Sequence, residues 1–156
     1  MRTTCRVAGL LFMFGLAWLG NNREARAEPK KSDAVVKVKA ELGKESADGI
    51  TPVHLTLTID QGWHLYANPV GSEDLADNAT TVIVGGGAKG EGVEYPEGKL
   101  VKDQTLGAYK IYEDQVKITV KTRRSSAKKP IELKIKIQSC NERSCLPPAT
   151  IKVTVP

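Results

Sequence analysis

Five stretches of this chain alternate apolar and polar residues with period two. Val36, Val38 and Ala40 alternate with Lys37, Lys39 and Glu41; Val53, Leu55, Leu57 and Ile59 with His54, Thr56, Thr58 and Asp60; Val116, Ile118 and Val120 with Lys117, Thr119 and Lys121. Ile131, Leu133, Ile135 and Ile137 alternate with Glu132, Lys134, Lys136 and Gln138, and Ile151, Val153 and Val155 with Lys152 and Thr154. Successive side chains of a strand point to opposite faces, so each stretch has one dry face and one wet face, as a half-buried antiparallel strand requires. Shorter strand candidates lie at 63–66, 80–84 and 108–112, and turn signals such as Asp48-Gly49, Gln61-Gly62 and Pro96-Glu97-Gly98 separate the runs. No amphipathic helix of useful length is present; residues 72–79 fit one helical turn at most. About seven to nine short strands in a chain of this size predict an all-β fold, an immunoglobulin-like antiparallel β-sandwich.

The sandwich does not begin at residue 1. Arg2 and Arg6 precede an apolar run from Val7 to Leu19, and Ala25-Arg26-Ala27 forms a small-x-small site, so residues 1–27 are expected to be a secretory signal peptide cleaved before Glu28. Residues 28–34 are polar and are expected to be a flexible lead-in, leaving 35–156 as the single folded domain. The whole chain has 23 basic and 18 acidic residues; without Arg2, Arg6, Arg23, Arg26 and Glu24 the balance is 19 to 17. The basic character belongs in part to the targeting segment, and no nucleic-acid partner is inferred. The exported product would be periplasmic or secreted. Both Phe and both Met precede residue 28, so the core must rest on Val, Ile and Leu.

Most chemical readings fail on the residues themselves. The cluster from Gly85 to Gly92 lacks the Gly-Lys-Ser/Thr that a phosphate loop needs, and it reads as a flexible connection. Arg123-Arg124 with Lys128-Lys129 reads as a solvated hairpin loop. His54 and His64 are the only histidines, they lack acidic or Cys partners at ligand spacing, and no metal is expected.

What remains is Cys140 and Cys145, the only thiols after Cys5 leaves with the signal. In an oxidising compartment two such cysteines pair, and a hairpin between the flanking strands brings their Cα atoms within the ~7 Å that bridging requires. One reading is an inert staple. Closing so short a loop removes little unfolded-state entropy, roughly 2 kcal/mol, so the other reading is a bridge made to open and close. Arg143 inside the loop favours a thiolate and Glu142 opposes it. Local chemistry leaves both readings open, and with them a second functional class, a non-enzymatic binding module with a structural disulfide.

The stretch Cys140-Asn141-Glu142-Arg143-Ser144-Cys145-Leu146-Pro147-Pro148 resembles the signature of the N-terminal periplasmic domain of the thiol:disulfide interchange protein DsbD. Three further stretches agree in order: Asp60-Gln61-Gly62-Trp63-His64-Leu65-Tyr66, Val93-Glu94-Tyr95-Pro96-Glu97-Gly98 with its Pro-x-Gly turn, and Gly107-Ala108-Tyr109-Lys110-Ile111-Tyr112-Glu113-Asp114. The resemblance runs from about residue 35 to 156. It implies an immunoglobulin-like sandwich and a redox-active disulfide. Electrons would come from a membrane thiol–disulfide relay protein and pass to oxidised periplasmic thioredoxin-like proteins, with no cofactor beyond the sulfur pair. It points to Cys145 as the partner-binding sulfur and Cys140 as the resolving thiol. It places Leu106, Asp103, Tyr109, Tyr112, Trp63 and Tyr66 around the sulfurs. The family's cap loop puts a Phe over the disulfide; Asp103-Gln104-Thr105-Leu106-Gly107 has no aromatic, so Leu106 is expected to pack near the sulfurs instead. The sequence has no membrane relay and no Cys-x-x-Cys domain, so its electrons are expected to arrive from a separate protein.

Overall fold

The computed structural model of the protein describes residues 30–126 and 128–156; the expected signal peptide and Cys5 lie outside them. The fold is an immunoglobulin-like antiparallel β-sandwich. Its strands are β1 (Val36–Leu42), β2 (Thr51–Ile59), β3 (His64–Tyr66), β4 (Thr81–Gly86), β5 (Ala88–Glu94), β6 (Lys99–Asp103), β7 (Gly107–Tyr112), β8 (Gln115–Arg124), β9 (Ile131–Ile137), β10 (Ser139–Cys140) and β11 (Ala149–Val155). One layer is β1-β2-β8-β5 and the facing layer is β11-β9-β4. Where alternation is strongest, burial follows it: Val53, Leu55, Leu57 and Ile59 of β2, Val116, Ile118 and Val120 of β8, and Ile131, Leu133, Ile135 and Ile137 of β9 all point inward. Among the described residues, no helix is long and apolar enough to cross a membrane.

A smaller sheet, β10-β3-β7-β6, closes one end. It has two dry faces. Leu65, Ala67 and Tyr112 join the main core, while Tyr66, Tyr109 and Ile111 form a second cluster with Val70, Leu75, Ala79 and Cys140. Residues one apart on a strand serve different cores, which is the period-two rule applied to a sheet buried on both sides.

The glycine cluster is not a loose connection. Gly85 and Gly86 belong to β4, Gly90 and Gly92 to β5, and a register shift between Gly90 and Gly92 marks a bulge against β8. Only Gly87 stands between the strands. A Cβ at Gly87 would come 2.3 Å from Lys129 Cβ, and Gly86 has φ +68. The chain turns from one layer to the other hard against residues 129–130, and there only glycine fits.

The stretch expected to be a flexible lead-in is tied down where it is described. Ser32–Val35 forms a 3-10 turn, and Ser32 is wholly buried. Its Oγ accepts from Ser139 N (2.8 Å) and donates to Pro147 O (2.9 Å), and Ser139 Oγ donates to Ser32 O (3.1 Å). Ser32 therefore joins both legs of the segment that carries the cysteines. Ser32→Ala would orphan the buried Ser139 N–H, and it is expected to lower unfolding stability by about 1–3 kcal/mol. The check is the urea midpoint, which should fall with an unchanged slope.

Candidate functional site

After β9 and Gln138 the chain enters β10, where Ser139 faces Leu65 and Cys140 faces His64 across the ladder. Leu146 N donates to Ser139 O and Asn141 N to Ser144 O, each at 2.9 Å. Cys140 and Cys145 stand opposite each other between these two bonds, at the non-hydrogen-bonded position where facing residues come closest. Their sulfurs are joined at 1.99 Å, with Cα atoms 4.0 Å apart. Asn141 Oδ1 accepts from Arg143 N (2.9 Å) and Ser144 N (2.8 Å), which fixes the tight turn through Glu142 and Arg143. The two halves of the bridge differ in access. Cys140 is 2% exposed and packs in the smaller core, whereas Cys145 is exposed.

A groove of about 560 Å³ runs past the disulfide. Both cysteines line it, with His64 and Tyr66 from β3, Tyr109 and Ile111 from β7, and Asp103 and Leu106 from the β6–β7 hairpin. Tyr66 and Tyr109 meet edge to face with ring centroids 5.9 Å apart. Asp103 Oδ1 accepts from Thr105 N (2.7 Å) and Leu106 N (2.8 Å) and so shapes the hairpin tip; these bonds hold its carboxyl below the usual carboxylate range. Gly107, at φ +77, completes the turn.

Four of the six residues expected around the sulfurs line this groove: Tyr66, Tyr109, Asp103 and Leu106. Leu106 is a rim residue, since 46% of its surface remains exposed. Trp63 and Tyr112 are not among the lining residues. Trp63 packs on the main core beneath Lys30, and Tyr112 is buried there, its hydroxyl donating to Pro96 O (3.0 Å). The reason is parity. Tyr109 and Ile111 share one face of β7, and Tyr112 falls on the other. His64 and Tyr66 share one face of β3, and Leu65 takes the other. Counting by twos from Tyr66 and Tyr109 identifies His64 and Ile111 as groove residues from sequence alone.

His64 is the main residue that sequence reasoning weighed only as a metal ligand. Its ring stands edge-on to Tyr66 at 6.2 Å. Burial pushes its imidazole below the ordinary histidine value, with Glu113 opposing and Lys99 adding to the shift. His54 lies on the exposed face of β2 near Thr119, away from the groove.

A β-sandwich that holds one sulfur in its core and presents the other at a groove is the build of a thiol–disulfide exchange domain. The chain belongs to the family of the N-terminal domain of the thiol:disulfide interchange protein DsbD, whose family model matches residues 27–156. No curated protein sequence matches it. Among solved structures, the N-terminal periplasmic domain of ScsB from Proteus mirabilis is 14% identical with a TM-score of 0.56, over 81% of this chain and 48% of that one. That likeness bears on the fold. The reduced DsbD N-terminal domain of Neisseria meningitidis is 18% identical, over 79% of this chain and 85% of that one, with a TM-score of 0.49. A complex of the DsbD and PilB N-terminal domains from the same organism is 18% identical, over 75% and 80%, with a TM-score of 0.45.

Proposed function

We propose that this domain, exported by a signal sequence at residues 1–27, works in the periplasm as an electron relay. It takes electrons from a membrane thiol reductase and passes them to oxidised thioredoxin-like proteins through the Cys140/Cys145 couple. The observation that carries this reading is the unequal access to the two sulfurs. A donor thiolate attacks the exposed Cys145 Sγ, the Cys140–Cys145 bond breaks, and Cys140 leaves as a thiolate that is then protonated. The donor's second thiol displaces Cys145, leaving the domain reduced and the donor oxidised. In the forward delivery, Cys145 thiolate attacks an acceptor disulfide, and Cys140 then attacks Cys145, releasing the acceptor as a dithiol. Each step exchanges one sulfur–sulfur bond for another, so the sulfurs carry the two electrons without a further cofactor. Cys140 is suited to the resolving role because a partner cannot reach it directly and Cys145 is always beside it.

The test is equilibration of the mature protein in glutathione buffers of stepped ratio, followed by thiol trapping. The expected result is a transition from none to two trapped thiols at a potential above the roughly −300 mV below which structural bridges fall. A bridge closed at every ratio would leave a docking module with a permanent staple.

A further inference from the structure

Resting on the exchange reading, we propose that His64 is the proton acceptor for Cys140 when that buried thiol attacks the mixed disulfide. Cys140 is 2% exposed, and a partner seated on Cys145 would cover what opening remains, so its proton needs an acceptor inside the protein. His64 is the residue directly opposite Cys140 in the β3–β10 ladder. Opposed residues share a face, with Cβ atoms about 5 Å apart, within reach of an imidazole and a thiol.

His64 also lines a second cavity of about 280 Å³, with Gly62, Trp63, Glu113, Asp114 and Glu142. His64 thus lines both the sulfur groove and this smaller pocket, and the carboxylates Glu113 and Glu142 line both as well. A proton taken from the first can leave by the second. The charged groups facing the imidazole are Glu113 and Asp114 at the β7–β8 turn, Glu142 on the cysteine hairpin and Lys99 on β6; Arg143 and Asp103 border the same groove. Lys99 Nζ is engaged by Glu113 at 2.6 Å. Glu113 and Glu142 line the groove as well, but Glu113 holds Lys99 Nζ and Glu142 stands exposed on the hairpin turn, and the remaining alternatives are poorer bases. Two backbone N–H groups on Asp103 Oδ1 hold that carboxyl low, and burial pushes the Tyr66 phenol up, so that it stays protonated. Burial also favours the neutral imidazole, the form that accepts a proton.

The step balances. Cys140–SH passes its proton to a ring nitrogen of His64, and the thiolate attacks Cys145 Sγ. The Cys140–Cys145 bond forms, the bond to the partner breaks, and the partner sulfur leaves with the electron pair. The imidazolium then releases its proton to water through the carboxylate pocket. Reduction of the domain runs the same transfer backwards.

The experiment follows thionitrobenzoate release when the reduced mature protein meets the dithiobis(nitrobenzoate) disulfide. The first, concentration-dependent phase reports attack by Cys145; the second, concentration-independent phase reports attack by Cys140. In the parent the second-phase rate should rise with pH through an inflection below about 6.5, the ordinary histidine value. His64→Gln should remove that inflection and slow the second phase about 10²-fold at neutral pH. Added imidazole should restore the second phase in His64→Ala. A His64→Gln variant that keeps the parent rate and pH profile overturns the proposal, as does His64→Ala that imidazole fails to rescue. So does a proton-NMR titration of His64 in the reduced parent whose midpoint departs from the kinetic inflection, and this holds whether or not the variants fold. A missing second phase in the parent would instead overturn the exchange reading itself.

Discussion

Cys145→Ser is expected to reduce exchange with oxidised dithiol proteins to the uncatalysed background, whereas Cys140→Ser is expected to accumulate a covalent adduct with its partner. The asymmetry comes from burial. Cys145 is the exposed half of the bridge, and replacing its sulfur removes the atom a partner attacks. The remaining Cys140 is 2% exposed in a cluster with Tyr66, Tyr109 and Ile111, and it cannot substitute. Cys140→Ser leaves the exposed nucleophile and deletes the thiol that resolves its mixed disulfide, so the intermediate persists until an external thiol cleaves it. Neither effect is a folding defect in disguise. The bridge closes a loop of only four intervening residues, and its loss costs about 2 kcal/mol. Non-reducing electrophoresis of extracts of the native envelope should show the adduct with Cys140→Ser only, and it should disappear on reduction. Adducts with Cys145→Ser instead would reverse the two roles. Adducts with neither variant would favour a module that docks without exchanging sulfur.

The sandwich was legible because β2, β8 and β9 each carry three or four consecutive in-facing branched residues, and that pattern fits one geometry only. β5 was not. Its sequence Ala-Lys-Gly-Glu-Gly-Val-Glu contains little to bury, and it becomes a strand by pairing with the edge of β8, a tertiary cause absent from its own pattern. Ser32 was likewise invisible. A polar residue in a charged terminus gives no sign that its hydroxyl will bridge residues more than a hundred positions away.

For the site, the division is equally physical. The cysteine hairpin is local, so spacing and turn residues were enough to place both sulfurs together. The surrounding residues come from three other strands, and an aromatic stretch taken whole does not say which of its members face the groove. Tyr66 and Tyr109 lie on the groove face; Tyr112, one position from Ile111, lies on the core face, and Trp63 packs on the same core. Alternation had already located the main core, and applied to β3 and β7 it would have separated these residues. The role of His64 is hidden in the sequence for a different reason. A histidine without ligand-type neighbours in sequence gives no sign of its setting, and its significance arises from a neighbour across the ladder that only the pairing of β10 with β3 provides.

Gly98→Ala is expected to be among the most costly single-methyl additions in the domain, lowering stability by about 1–3 kcal/mol. A Cβ at Gly98 would stand 2.5 Å from Ala67 Cβ, 2.9 Å from Lys110 Cβ and 3.1 Å from Ile111 O. None of these is the free end of a long side chain. Ala67 is wholly buried, and the turn before Gly98 is clamped from below, because Tyr112 Oη donates to Pro96 O and accepts from Asn68 N at 3.2 Å. The methyl can therefore be accommodated only by moving the start of β6 away from β7. Gly62 makes the contrast. It has open space around its Cβ position but φ +80, so Gly62→Ala meets a backbone penalty of about 1 kcal/mol without a clash. One glycine is kept for room and the other for conformation, and thermal melts of the two variants should separate them, at about 4 °C per kcal/mol. Displacing β6 also carries Val101 and Asp103, which border the groove, away from the sulfurs. Gly98→Ala should consequently slow docking of a protein partner while leaving the second-phase thionitrobenzoate release unchanged, since that phase needs only Cys140, Cys145 and His64. A Gly98→Ala protein with the parent's melting temperature would mean that the small sheet yields more readily than its packing indicates.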